Sequence, residues 1–180
     1  MEPLVALVRG INVGGKSKLA MTDLRAAAED CGLEDVRTYI QSGNLVAVDP
    51  KRRKTSSVAS ALRAAIAAAG AVDPAVFVRT RKELAAVVSK SPFLARGADP
   101  GLLHVVFLDG KAGSALRGFD LAEYAPEEAI AVGSEIHFLL PGGVGRSKLT
   151  TDLLRRAGAG EGTMRNWRTV TKLLAMADDG

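Results

Sequence analysis

The 180-residue sequence has little cysteine, few aromatic side chains and no long apolar run. Cys31 is the only cysteine, so the chain forms no internal disulfide and no thiolate cage for a metal. Aromatic residues are 4% of the chain, which leaves few rings on which the bases of a single-stranded nucleic acid stack. Apolar runs such as residues 102–108 are too short to cross a bilayer, and the first residues lack the pattern of a signal peptide. We therefore expect a cytoplasmic protein with no membrane segment.

The overall composition is that of a folded globular protein. Hydrophobic residues are 47% and charged residues 24%, which excludes a disordered chain. The formal net charge of +4 is unevenly placed. Residues 101–143 carry two basic and six acidic side chains, whereas residues 144–177 carry seven basic and two acidic ones. The concentrated basic segment predicts a polyanionic partner better than the net charge does.

The pattern of apolar residues and turn signals predicts the same order of elements twice, β-α-β-β-α-β followed by a helix. Thr80 and Glu83 have the spacing of a capping box, and Thr22 with Asp23 is expected to cap the first helix. The predicted strands are residues 4–8, 36–40, 45–48, 75–79, 102–108, 129–132, 136–140 and 163–167. The first predicted helix ends at Cys31, and the other predicted helices cover residues 58–69, 81–88, 112–119, 149–157 and 170–177.

An internal repeat supports two related halves. Residues 78–80 (VRT) match residues 167–169 (WRT) at an offset of 89, about half the chain. The sequence therefore predicts an α+β protein with ferredoxin-like halves at residues 1–90 and 91–180. Each half is expected to have an antiparallel or mixed sheet with helices packed on one face. A shorter similarity links residues 15–19 (GKSKL) to residues 145–149 (GRSKL), both between a strand and a helix.

Residues 10–17 (GINVGGKS) fit the phosphate-binding P-loop pattern letter for letter. In that interpretation Lys16 contacts the terminal phosphates and the Ser17 hydroxyl binds magnesium. The helix, however, is expected to begin only near Met21, and the second and third strands are predicted to form a hairpin. A P-loop sheet needs parallel strands joined by crossovers. A nucleotide-dependent enzyme therefore remains an alternative rather than the favoured interpretation.

The basic loops and nearby amides also suggest non-enzymatic phosphate binding. Solvated surface charges are the competing interpretation, and the asparagines near strand ends are expected to satisfy turns. His104 and His137 are expected to be structural histidines with satisfied hydrogen bonds, and Trp167 is expected to be buried against the last helix. No catalytic residue, metal ligand or cofactor is predicted. The candidate ligand-binding residues are Arg9, Asn12, Gly14, Gly15, Lys16, Lys18, Gln41, Asn44, Arg146, Lys148, Arg165, Asn166, Arg168 and Lys172.

Three segments resemble the signature segments of one bacterial family, domain of unknown function family 1697. They are residues 9–16 (RGINVGGK), 38–44 (TYIQSGN) and 165–170 (RNWRTV). Because the segments lie near both ends, the resemblance extends over almost the whole chain. The resemblance implies a small α/β protein of two ferredoxin-like halves and brings no established activity, substrate or catalytic residue. This chain has Ser17 where the family commonly has Asn and Ala20 where it often has Pro. A hydroxyl for magnesium is therefore not implied by the family.

The sequence thus predicts an uncharacterised bacterial cytoplasmic protein. Its expected function is to bind a phosphate-bearing small molecule or a nucleic acid in a basic cleft between the halves. A nucleotide-dependent enzyme and a protein-interaction module remain as alternatives. The sequence favours a binding protein over an enzyme and does not predict an oligomeric state.

Overall fold

The computed structural model describes residues 1–12, 18–69, 73–156 and 162–179. It is an α+β protein with two four-stranded antiparallel sheets, as the sequence predicts at this level. The first sheet has the strand order β2-β3-β1-β4 and the second β6-β7-β5-β8. The strands are β1 (Pro3–Val8), β2 (Glu34–Tyr39), β3 (Asn44–Val48), β4 (Val76–Thr80), β5 (Leu103–Leu108), β6 (Glu128–Val132), β7 (Glu135–Leu139) and β8 (Gly162–Asn166). The α-helices are α1 (Met21–Asp30), α2 (Thr55–Ala68), α3 (Arg81–Ser89), α4 (Lys148–Arg156) and α5 (Trp167–Asp178).

The chain divides into two compact units. Unit 1 consists of Met1–Ala85 together with Lys172–Gly180, and unit 2 of Ala86–Thr171. Unit 1 contains the first sheet and unit 2 the second. The predicted domain boundary between residues 90 and 91 stays a prediction.

In unit 1 the hydrophobic core lies on one face of the sheet, against α1 and α2. Along β1, Leu4, Ala6 and Val8 alternate toward this core, because successive strand side chains point to opposite faces. Along α2 the buried residues recur every four positions, which places them on one helix face. These buried residues of α2 are Val58, Leu62 and Ile66.

In unit 2 the corresponding core is made by β5, β6, β7 and α4. Val106 and Leu108 of β5 pack in one cluster with Ile136 and Phe138 of β7. Leu149 and Leu153 of α4 complete it, four residues apart on one helix face. The helix therefore covers one face of this sheet only.

Several local predictions are confirmed and others are wrong. The capping box is present: Glu83 N–H donates to Thr80 Oγ1 at 3.1 Å, and Thr80 N–H donates to Glu83 Oε2 at 2.8 Å. The first helix begins at Met21, but its N-cap is Ala20 without a side-chain cap, so the predicted capping by Thr22 and Asp23 is wrong.

The helix predicted over residues 112–119 is also wrong. Only Ala112–Ser114 form a helical turn, of the 3₁₀ type. Gly113 lowers the helix propensity of this segment, and Gly118 has a φ of +78°, which no α-helix contains. In addition, α5 begins at Trp167, three residues before the predicted start, and α2 begins at Thr55 rather than at Val58.

Within the described residues, every helix is too short or too polar to traverse a lipid bilayer.

Candidate functional site

One end of the first sheet joins segments that are far apart in sequence. At this end β1 and β2 finish and β3 and β4 begin; we call residues 9–12, 18–19 and 40–43 the unit 1 edge. Asn12, with a φ of 57°, connects these segments. Its Nδ2 donates to Leu19 O and to Gln41 O, both at 2.8 Å, and its Oδ1 accepts from Leu19 N at 2.9 Å. Asn12 therefore fixes the two ends of the loop after β1 and ties them to the β2–β3 turn.

The β2–β3 turn is held against the end of β1 by close backbone contact. Val8 N–H donates to Gly43 O at 2.7 Å. Gly43 has a φ of +75°, and a Cβ there would lie 2.8 Å from Ile11 Cδ1 and 2.9 Å from Val8 O, so only glycine fits. Asn44 is fully buried, and its Nδ2 donates to Tyr39 O at 3.1 Å. The turn is thus fixed from both sides.

Ile40 is held in a strained and exposed position in this turn. Its φ is 46°, a conformation that a β-branched residue rarely adopts, and 51% of its surface is exposed. Such strain persists only where the surrounding contacts over-determine the backbone. The bonds of Asn12, Gly43 and Asn44 supply those contacts.

The predicted residues at the unit 1 edge fall into two groups. Asn12 and Asn44 use their amides to hold the backbone, as expected for asparagines near strand ends. Lys18 and Gln41 are exposed and Arg9 is half-buried, so their side chains are accessible to a ligand. Gly14, Gly15, Lys16 and Ser17 lie outside the described residues. Lys172 is exposed on α5, within unit 1.

The second sheet carries the remaining predicted residues at one of its ends. There β7 and β8 finish, β5 begins, and α4 and α5 start; we call residues 140–149 and 166–169 the unit 2 edge. The exposed predicted residues of this edge are Arg146, Lys148, Asn166 and Arg168. Three of them are cations: Arg146, Lys148 and Arg168. Among the described residues, the side chain of none of these three forms a hydrogen bond or an ion pair.

The start of α4 is already filled by a carboxylate of the protein itself. Glu127 Oε2 accepts from Leu149 N–H at 3.0 Å and from Ser147 Oγ at 3.0 Å. Ser147, which is 2% exposed, accepts from Thr150 N–H through Oγ at 3.0 Å and so acts as the N-cap. Two of the backbone N–H groups that could bind an anion at this helix start, those of Leu149 and Thr150, are therefore used internally.

The start of α5 is closed in the same way by an amide. Asn166 Oδ1 accepts from Thr169 N–H at 2.8 Å. Trp167 is buried, as predicted. Arg165 is also buried: its Nη1 donates to Thr163 Oγ1 at 2.7 Å and to Met164 O at 2.8 Å, and burial lowers its pKa to about 10. Arg165 therefore remains a cation at neutral pH, directed into the protein.

The sequence analysis missed a buried polar group of side chains on the face of the second sheet opposite α4. Within the described residues, His137 is 2% exposed and its Nε2 has no hydrogen-bond partner. Burial lowers the pKa of His137 to about 4, and its ring lies 6.5 Å from that of Trp167. Glu135 and Thr163 are buried on the same face. No sequence signal marks them, because polar residues at alternate strand positions normally indicate a solvent-exposed face.

Two other kinds of site find little support. In the ranges that the structure describes, no group of three His, Cys, Asp or Glu side chains is arranged to hold a metal. A P-loop is disfavoured, because β3 pairs antiparallel with both β1 and β2 and α1 starts only at Met21.

Comparison with known proteins gives a family and a fold. The family model described as "Protein of unknown function (DUF1697)" matches residues 1–137. The chain belongs to this family. The structure of conserved bacterial protein SP0830 from Streptococcus pneumoniae is similar, with a TM-score of 0.75, 21% identity and 98% of each chain covered. At that identity the likeness to SP0830 shows the DUF1697 chain's fold alone. No curated protein sequence matches the chain.

Proposed function

We propose that this DUF1697 protein binds the phosphate backbone of a nucleic acid through the unit 2 edge, without catalysis. The observation that carries the proposal is the cluster of Arg146, Lys148 and Arg168, three exposed cations on two segments that leave the same end of the sheet. Exposed arginine and lysine side chains contact successive phosphates of a nucleic acid and release its counterions.

At this edge, protein side chains already accept hydrogen bonds from N–H groups at the starts of α4 and α5. This favours an extended polyanion over a small phosphate as the ligand. A small phosphate is usually cradled by the free N–H groups of a helix start. At α4 those groups bond Ser147 and Glu127, and at α5 Asn166 takes Thr169 N–H. The cations at the unit 2 edge are left to contact a ligand from the surface, as a nucleic-acid backbone allows.

The test is the salt dependence of binding to fluorescently labelled duplex DNA, single-stranded DNA and RNA. Combined substitution of Arg146, Lys148 and Arg168 by Ala should weaken binding and reduce the slope of log K against log salt by about 0.9 for each lost DNA phosphate contact. The matched control replaces Lys90, Lys111 and Arg117, three exposed cations of unit 2 outside this edge, by Ala. Equal effects of both triple variants would refute the assignment to this edge.

A phosphate-bearing small molecule is a second candidate ligand, at the unit 1 edge. The specific observation is that Arg9, Lys18 and Gln41 project from an edge whose backbone Asn12 fixes, beside the strained Ile40. A thermal-shift screen of phosphate compounds, with and without magnesium, tests this ligand. We expect stabilisation that is lost in Arg9→Ala/Lys18→Ala and kept in Arg25→Ala/Lys54→Ala, two exposed cations elsewhere in unit 1.

The same experiments separate the alternative functions. Magnesium-dependent turnover of a nucleotide would favour the enzyme, and partner binding that survives high salt would favour a protein-interaction module. A cytoplasmic location in a bacterium is part of the proposal, and the basic cleft between the halves stays a prediction.

We also propose that the two halves are ferredoxin-like and arose by duplication. Support comes from the strand orders: β2-β3-β1-β4 in the first sheet and β6-β7-β5-β8 in the second are the same order of successive strands. Arg79 lies opposite Val5, and Arg165 lies opposite Val105, on the central strand of each sheet. The next residue in each last strand, Thr80 or Asn166, caps the helix that follows.

A further inference from the structure

A bulge interrupts the edge strand of the first sheet. The pairing of β2 with β3 runs Glu34 to Val48 and then Arg37 to Val46, so Asp35 and Val36 together oppose one residue of β3. Asp35 takes up the extra length with a φ of 52°. A bulge of this kind bends the strand and locally opens the ladder, and bulges are common beside binding sites.

A cavity of about 520 Å³ lies at this bulge, entirely within unit 1. Its volume falls within the range of small-molecule sites. Five apolar residues contribute to its lining; Pro3 and Val48 are half-buried, and Val36, Val46 and Ala47 are buried behind them. Such walls accommodate the hydrocarbon portion of a ligand.

The charged lining has an excess of negative charge. Three carboxylates line the cavity from separate places in the chain: Glu29 of α1, Asp35 of the bulge and Asp179 just after α5. Within the described residues none of the three has an ion-pair partner. The one cation of the lining, Arg37, is held in place by its Nη2, which donates to Met176 O at 2.6 Å. The lining thus carries two uncompensated negative charges.

We propose that this cavity binds an aliphatic amine with two positive charges, a ligand separate from the nucleic acid proposed above. The hydrocarbon chain lies against the half-buried Pro3 and Val48, and the ammonium groups face the carboxylates. Two ammonium groups match the excess charge, and their hydrogen-bond donors match carboxylate oxygens. An anionic ligand is repelled, since the guanidinium of Arg37 is already engaged and outnumbered.

Three probes of equal length separate charge from hydrophobic contact. They are 1,8-diaminooctane, 8-amino-1-octanol and 1,8-octanediol, which carry two, one and no positive charges. Affinity measured by NMR titration should fall about fivefold for each charge removed, as for loss of a solvent-accessible ion pair. The shifted amide signals should be those of residues 35–37 and 46–48. Equal affinity for the diamine and the diol, or shifts confined to other residues, would overturn the proposal.

Variants assign the effect to the carboxylates. Glu29→Gln/Asp35→Asn should weaken diamine binding about 25-fold and leave diol binding unchanged. The matched control is Asp109→Asn/Glu123→Gln, which removes two exposed carboxylates of unit 2 and should have no effect. Val48→Phe, at a half-buried position, should abolish binding of all three probes by filling the cavity. Circular dichroism and thermal unfolding establish that each variant is folded, and undiminished diamine binding by the folded carboxylate variant would refute the site.

Discussion

The two sheets have corresponding strand orders but bury different chemistry on the face opposite the core helices. In unit 1, Val5 of the central strand lies between Val46 on β3 and Arg79 on β4. In unit 2, Val105 lies between His137 on β7 and Arg165 on β8. The two rows therefore differ at one position, valine in unit 1 and histidine in unit 2, and have the same residue types at the other two.

In the next row along the sheet, the buried side chains of unit 2 are again more polar than those of unit 1. Leu7 lies between Asn44 and Phe77 in unit 1, whereas Phe107 lies between Glu135 and Thr163 in unit 2. All of these are buried. One topology thus accommodates a mainly apolar face and a mainly polar one. The same strand order therefore does not determine which side chains are buried on this face. Because unit 2 buries a histidine there, we expect unit 2 to lose more stability in acid than unit 1.

The largest expected effect is a loss of stability between pH 6.5 and pH 4. His137 has a pKa of 6.5 in the unfolded chain and about 4 when folded, so the unfolded state binds the proton more tightly. Stability from the neutral ring is therefore complete above pH 6.5 and is lost as the pH falls toward 4. A shift of this size corresponds to about 3 kcal/mol of unfolding free energy. Urea unfolding at several pH values, followed by Trp167 fluorescence beside the ring, measures it.

His137→Val makes this row of unit 2 like that of unit 1 and should remove most of the pH dependence. His104→Gln is the matched control, since burial also lowers the pKa of His104 and its removal should abolish only a smaller part. Asp49 contributes to the pH dependence of stability at lower pH. Hydrogen bonding by Arg53 lowers the pKa of Asp49, so its stabilisation is lost only as the pH falls through about 4 and below. Equal pH dependence in the wild type and in His137→Val would break the comparison.

Local sequence signals predicted most strands and helices of both units, apart from the helix at residues 112–119. The β6–β7 hairpin, whose strands are predicted at residues 129–132 and 136–140, and the capping box of Thr80 and Glu83 are set by neighbouring residues. The internal repeat itself stays a prediction. The sequence match aligns Arg79 with Arg168, whereas Arg165, three residues earlier, has the strand position in the second sheet that Arg79 has in the first. A short Arg-Thr match therefore does not specify strand register, which strand pairing sets to one residue.

The candidate site was predictable in residue type but not in arrangement. Asparagines near strand ends were expected to satisfy turns, and Asn12 and Asn44 do so. The bond from Asn12 to Gln41, 29 residues away, depends on how β1 pairs with β3, which no local pattern specifies. The same holds for Glu127 at the start of α4, which reaches Leu149 from 22 residues away. Long-range pairing decides which polar groups are already satisfied.

A second prediction concerns how the edges of the two units are fixed, by an amide in unit 1 and by a carboxylate in unit 2. Asn12→Ala should lower the unfolding free energy by about 2 kcal/mol, because three hydrogen bonds are lost and alanine is strained at a φ of 57°. Asn12→Gly separates the two causes, since glycine removes the bonds without the strain. Denaturant unfolding measures both. If Asn12→Gly were as stable as the wild type, the three bonds would not hold the edge.

A smaller difference is expected between the helix caps of the two units. Ser147→Ala should cost about 1.5 kcal/mol, because the buried hydroxyl both caps Thr150 N–H and donates to Glu127. Thr80→Ala should cost about 1 kcal/mol, since its cap is partly exposed and water replaces the lost bond. Ser147→Thr and Thr80→Ser retain the hydroxyl and should recover most of the stability. Equal losses at the two positions would indicate that burial of the cap does not matter.

The smallest predicted effect tests whether Glu127 occupies an anion position. Glu127→Ala frees Leu149 N–H at the start of α4 and should cost about 1 kcal/mol, the usual size of a lost cap. Sulfate should then restore part of this loss in Glu127→Ala relative to the wild type, because an anion stabilises a helix start that has a free N–H group and bears Lys148. Chloride at equal ionic strength is the control, since it separates specific occupancy from screening. A gain from sulfate of the same size in both proteins would show that it acts elsewhere, and the carboxylate would then be a capping group in a place unsuited to free anions.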